Sequence, residues 1–275
     1  MRRSVLYVLT ASAVLTSSLP VQAQDAFGVI TTNTLDMPTV GDGASFSFSA
    51  TAGEYVTIAM QNQGSNISAV QLRVLDPNFN TVATQTVVAP PTGTLGQMEC
   101  NTGSNTAAGC WGSAVINLPK IASTAAGTYT VLATPTAGTG SMTFTVTVPI
   151  NGDGLVANGG SIYKVSGNPG QSMMLPVSLV SGQSYTLTIS ETNGYLPAGQ
   201  GVIFDPSGTV IGNFAMAATC ANPCGLGQYI GGGYTVFTAD ATGTFNILFQ
   251  QQAQTAGPNV YGPLWNTATW QITSP

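Results

Sequence analysis

Met142-Thr143-Phe144-Thr145-Val146-Thr147-Val148 alternates apolar and hydroxyl side chains without a break. Successive side chains of an extended strand point to opposite faces, so one face of this segment is apolar and the other is lined with threonine. Working outward, Val70-Gln71-Leu72-Arg73-Val74 keeps the same period, and so does Thr128-Tyr129-Thr130-Val131-Leu132. After Gly53 and Glu54 comes Tyr55-Val56-Thr57-Ile58-Ala59-Met60, another β-branched run. Clusters of Gly, Pro, Asn and Asp separate these runs, and helical periodicity is almost absent. Many short half-buried strands between turn clusters predict a β-sandwich or barrel.

The second half repeats this plan. Gly53-Glu54-Tyr55-Val56-Thr57-Ile58 matches Gln183-Ser184-Tyr185-Thr186-Leu187-Thr188-Ile189 after Gly182, pairing Tyr55 with Tyr185. Val70 to Val82, with Asp76-Pro77 inside it, matches Gly201 to Ile211, with Asp205-Pro206. Ala126-Gly127-Thr128-Tyr129 matches Thr242-Gly243-Thr244-Phe245. Thr143 to Val146 matches Thr267 to Trp270 as the closing strand. Constant strands with loops of varying length are the mark of a duplicated module. The expected organisation is a signal peptide over residues 1–23, one module over 24–149, a linker over 150–154 and a second module over 155–275. Tyr129 and Phe245, at matching positions, are expected in the two cores.

The order Gly-x-Tyr, Leu-x-Val-x-Asp-Pro, Ala-Gly-Thr-Tyr-x-Val and an alternating last strand resembles bacterial pre-peptidase C-terminal domains, once in each half. The resemblance implies an all-β fold of two tandem jelly-roll-like sandwich domains. Some members of that family bind calcium or help enzymes hold polymeric substrates. The acidic clusters that calcium needs are missing here.

Arg2 and Arg3, an uncharged apolar run from Val5 to Leu19, and Val21-Gln22-Ala23 form a secretory signal pattern, so a secreted chain is expected. Beyond it remain three bases, Arg73, Lys120 and Lys164, against ten acids, a net charge of −7. Charged residues make up 5% of the 275-residue chain, and there is no histidine. That composition argues against nucleic-acid binding, imidazole metal sites and His-based triads. No Gly-x-Ser-x-Gly or Ser-x-x-Lys occurs, so no catalytic residues, cofactor or metal are assigned. No stretch past the signal reaches a membrane-spanning length.

Asp76-Pro77-Asn78-Phe79-Asn80 could open a calcium loop, but Thr81 and Val87 stand where glycine and glutamate are required. A hairpin turn is the expected reading, as at Asp205-Pro206-Ser207-Gly208. Cys100, Cys110, Cys220 and Cys224 allow three disulfide pairings. Their placement favours one local bridge per half, Cys100 to Cys110 and Cys220 to Cys224. Trp111, Tyr195, Tyr229, Tyr234, Tyr261 and Trp265 lie in loop-like stretches where flat rings could stack on a polysaccharide. Against that stands the reading that such rings only cover the ends of a sandwich.

Two function classes follow. One is a non-catalytic structural or interaction protein, with homo-oligomers formed through strand edges. The other is a carbohydrate- or polymer-binding module. The uncharged closing segments, Met142 to Val148 and Ala268 to Thr273, are the expected free edges, since they lack charges that discourage strand addition.

Overall fold

The computed structural model describes residues 28–61, 66–88, 114–165, 168, 170–190, 199–220, 229–251 and 267–275. Their regular secondary structure is all strand apart from one short 3-10 turn at Ser123–Ala125. The first eight strands are β1 (Val29–Met37), β2 (Ala44–Ala50), β3 (Thr57–Gln61), β4 (Ala69–Leu75), β5 (Thr81–Val88), β6 (Ala114–Asn117), β7 (Gly127–Ala137) and β8 (Gly140–Thr147). They form two four-stranded antiparallel sheets, ordered β1-β8-β3-β6 and β2-β7-β4-β5.

The remaining strands are β9 (Ile150–Asn151), β10 (Ile162–Val165), β11 (Met173–Leu179), β12 (Ser184–Ser190), β13 (Gly199–Phe204), β14 (Val210–Cys220), β15 (Tyr229–Thr238), β16 (Gly243–Gln251) and β17 (Thr267–Thr273). Their order is β10-β17-β12-β15-β14-β13-β16-β11-β9. This sheet turns a corner inside β14. Residues 210–216 of β14 pair with β13, and residues 217–220 pair with β15. Divided at that corner, and without β9, the order is that of the first eight strands. Both halves therefore have the jelly-roll strand order, in which each sheet takes alternate members of successive hairpins. The all-β, jelly-roll-like expectation holds.

Each sandwich has its own core, because alternate residues of its strands point between its two sheets. Phe46, Phe48, Tyr129 and Phe144 lie in the first, and Tyr185, Phe245, Phe249 and Trp270 in the second. Tyr129 and Phe245 are both buried as expected. The Tyr129 hydroxyl donates to Ala125 O at 2.9 Å. Burial first, and then the charge of Asp76, push its phenol pKa upward.

Turn hydrogen bonds and strand registers together correct two of the sequence matches. Gly53 N–H donates to Ile121 O and Gly182 N–H to Ala239 O, so Gly53 corresponds to Gly182 and Met60 to Ile189. Met60 lies opposite Phe144, and Ile189 opposite Trp270. Trp270 is thus the counterpart of Phe144, two residues from the position matched by sequence. Ile58 corresponds to Leu187, so Tyr55 does not correspond to Tyr185. With a period of two, a slip of one residue exchanges the faces. Tyr185 points into its core, where its hydroxyl accepts Val180 N–H at 3.1 Å. Tyr55 points outward and meets Phe204 of the other sandwich at 5.8 Å between ring centroids.

That contact is part of a buried junction. Ala59, Val115, Phe204 and Leu248 are buried yet belong to neither core. Thr57 and Ser172 are fully buried, with their hydroxyl oxygens 2.7 Å apart. Thr57 gives its one hydroxyl proton to Asn117 Oδ1 at 2.8 Å, so Ser172 donates to Thr57. Buried Gln171 donates to Val148 O at 2.8 Å. The segment joining the sandwiches takes part as well. Ile150 and Asn151 pair in parallel with Met173 and Met174, and Leu155 N–H donates to Pro176 O at 2.8 Å. Residues 150–155 therefore lie along the outer edge of β11.

Candidate interaction surfaces

The two Asp-Pro turns close matching hairpins, β4–β5 and β13–β14. Asp76 Oδ1 accepts the Asn78 and Asn80 N–H groups, each at 2.8 Å, and Oδ2 accepts from Asn80 Nδ2 at 3.0 Å. Asp205 Oδ1 accepts Thr209 N–H and the Ser207 hydroxyl, both at 2.7 Å. In each case the side-chain hydrogen bond, from Asn80 or Ser207, is the main reason the carboxyl pKa lies below its usual range. Backbone N–H groups reinforce the effect. Both carboxylates are occupied with shaping their own turns, which is the hairpin reading.

Each turn also covers a glycine of the neighbouring hairpin. A Cβ on Gly127 would lie 2.9 Å from Pro77 Cγ, and one on Gly243 would lie 2.8 Å from Pro206 Cγ. The fourth residues of the turns differ. Gly208 has φ +87°, and Phe79 stands in the same left-handed region at φ +64° with 80% of its surface exposed. A bulky residue is costly in that conformation.

The strand order overturns the expected free edges. β8, which carries Met142 to Thr147, lies between β1 and β3, and β17 lies between β10 and β12. Both closing strands are paired on each side, so their lack of charge reflects interior position rather than an open edge. Among the described residues, the outer strands of the first sandwich are β1 and β6 in one sheet and β2 and β5 in the other. In the second sandwich they are β10 and β9.

Of the aromatic candidates, Tyr234 is 76% exposed on the outer face of β15, two residues before Val236, also exposed. Tyr229 begins the same strand, opposite Cys220 at the end of β14. Trp111, Tyr195, Tyr261 and Trp265 lie outside the described residues, as do Cys100, Cys110 and Cys224. The junction formed by Tyr55, Thr57, Gln171, Ser172 and Phe204 escaped the sequence reading. Its residues belong to two sandwiches, and no local pattern marks them.

Among the described residues, no helix is long and apolar enough to cross a membrane, which says nothing about β-barrels. No three or more Cys, Asp or Glu side chains gather among those residues in a way that could hold a metal ion.

The fold and its surfaces define a tandem jelly-roll chain with hydroxyl-lined outer faces. No family model matches the chain, and no curated protein matches it. Among solved structures it is similar to the CUB1-EGF-CUB2 domain of human MASP-1/3, at 9% identity and a TM-score of 0.23, over 88% of this chain and 99% of that one. It is similar also to the ANX2 ectodomain from Arabidopsis thaliana, at 9% identity and a TM-score of 0.28, over 91% and 93% of the two chains. A third similarity is to the STIV MCP, at 12% identity and a TM-score of 0.23, over 80% and 95%. At such TM-scores the jelly-roll assignment rests on this chain's own strand order.

Proposed function

We propose that this chain is a secreted, non-catalytic structural protein whose copies assemble into an extracellular filament, coat or matrix. In this reading the two sandwiches are divergent copies of a pre-peptidase C-terminal-like module. The observation that carries the proposal is the character of the outer faces. Hydroxyls meet across strands at Thr34–Thr143, Ser47–Thr130 and Ser184–Thr238, 3.1 to 3.2 Å apart. Such faces hydrogen-bond without bringing like charges together, so little electrostatic repulsion opposes close packing of copies. The buried junction favours the same role, because two sandwiches locked together make a stiff building unit.

The test is the size of the processed, purified protein by sedimentation velocity and negative-stain microscopy. Assembly predicts ordered particles that grow with concentration, and a strict monomer at every concentration overturns it. A second reading, polysaccharide binding, is favoured by exposed Tyr234 beside Val236. It predicts retention on an insoluble polysaccharide that Tyr234→Ala abolishes.

A further inference from the structure

The sequence of β2 is Ala44-Ser45-Phe46-Ser47-Phe48-Ser49-Ala50, which reads the same in both directions about Ser47. β2 is an outer strand that pairs along its whole length with β7. Among the described residues no strand lies on its other side. Its equivalent in the second sandwich, β11, is treated differently. There the joining segment adds β9 in parallel and continues to the Leu155–Val177 bridge, and Pro176 interrupts the strand's donors. The chain itself thus shows that this edge of the sandwich accepts an added strand. In the first sandwich the same edge has none of the devices that discourage pairing: no charge, no proline and no bulge against β7.

We propose that β2 is a self-complementary edge, paired antiparallel with β2 of a second copy about a two-fold axis at Ser47. This rests on the assembly reading and specifies its first contact. A two-fold interface must present the same patch twice, so each residue meets the residue that meets it in return. The palindrome satisfies this condition side chain by side chain. Ser47 faces Ser47 of the second copy, Phe46 faces Phe48, Ser45 faces Ser49 and Ala44 faces Ala50. Phe46 and Phe48 point to the core side in each copy, so aromatic cross-strand pairs extend the two cores toward each other. The serines lie on the outer side, where Ser47 already shares a hydrogen-bonded contact with Thr130. The two four-stranded sheets then join into one sheet of eight strands, ordered β5-β4-β7-β2 and β2-β7-β4-β5. Opposed Cβ atoms in such a pair lie about 5 Å apart, so charges placed at the axis act directly on each other.

The experiment uses the full processed chain with Ser47→Lys and Ser47→Asp, read by sedimentation velocity with melting temperature as the control for folding. Ser47 is exposed, so each variant should melt close to the parent. Each alone should dissociate at least about tenfold more readily, because like charges meet at the axis. An equal mixture of the two should restore the dimer as a Lys–Asp heterodimer. As a second pair, Ser45→Lys with Ser49→Glu in one chain should keep the dimer, since opposite charges then meet twice, whereas lysine at both positions should break it. If the parent assembles and these substitutions leave its association unchanged, or the mixture stays monomeric, this contact is wrong while the assembly role stands. A parent that is monomeric at every concentration overturns both.

Discussion

The two sandwiches share one strand order but fill their cores in opposite senses. In the first, Leu72 on β4 lies opposite Ala133 on β7. At the corresponding place in the second, Gly201 on β13 lies opposite Phe249 on β16. The large side chain has moved to the neighbouring strand, and the small one has moved with it. Gly199 and Gly201 leave room for rings, since a Cβ on Gly201 would overlap Phe214 and one on Gly199 would overlap Phe249. Phe249 meets Trp270 edge-on at 5.7 Å, and Phe214 meets Trp270 edge-on at 6.4 Å. The first core has separate ring pairs instead, Phe46–Phe144 at 5.4 Å and Phe48–Tyr129 at 5.6 Å. What the two halves share is therefore the strand order. The strand that supplies the large side chain is free to change.

The largest expected effect tests that contrast at equivalent positions. Trp270→Ala should cost about 5 kcal/mol and Phe144→Ala about 3 kcal/mol, because the tryptophan is the larger and contacts two rings. Chemical denaturation of the two variants measures this, and equal costs would mean that the three-ring cluster adds nothing. Next, Gly201→Leu should cost about 3 kcal/mol by overpacking. Adding Phe214→Ala should recover part of the loss, since the Phe214 ring on the neighbouring strand occupies the space that a side chain at position 201 would need. A double-mutant cycle without coupling would refute that competition for space.

The Asp-Pro turns sharpen the comparison further. Their carboxyl pKa values are lowered in the folded state. The stability they contribute is therefore present above the ordinary aspartate pKa, about 3.9, and is lost as the pH falls through the depressed values. Replacing both Asp76 and Asp205 with Asn should lower the melting temperature at neutral pH and flatten its fall in acid. An unchanged acid profile would assign that fall to other carboxylates. The smallest effect is a gain. Phe79→Gly supplies the residue that the second turn already has at this place, relieving a left-handed backbone at the expense of a more flexible unfolded chain. A net stabilisation of about 0.5–1 kcal/mol is expected in thermal melts. The mirror change, Gly208→Phe, should destabilise.

Much of the fold was legible because strand formation leaves a local trace. Period-two alternation located Val70 to Val74 and Met142 to Thr147, and the repeated Asp-Pro and Gly-Thr-aromatic segments located the two halves. The burial of Tyr129 and Phe245 follows from that repeat alone. The exact match between halves was less legible, since alternation fixes which faces agree only after the register is known. Tyr55 and Tyr185 look alike in sequence and yet face opposite ways. The candidate surfaces were least legible. The uncharged closing strands carry none of the charges that mark a protected edge, yet they are interior.

By itself, the sequence determined the class of structure, the repetition of one strand plan in the two halves, the turn chemistry at Asp76 and Asp205 and the near absence of charge. These depend on neighbours along the chain, within the reach of one strand or one turn. Only the tertiary structure decided which strands lie outermost, that residues 150–155 cover β11 while β2 has no strand beyond it among the described residues, and that Thr57 meets Ser172. Those outcomes depend on hydrogen bonds between segments far apart in the chain. An uncharged alternating strand satisfies its backbone equally well in the middle of a sheet or against a second copy.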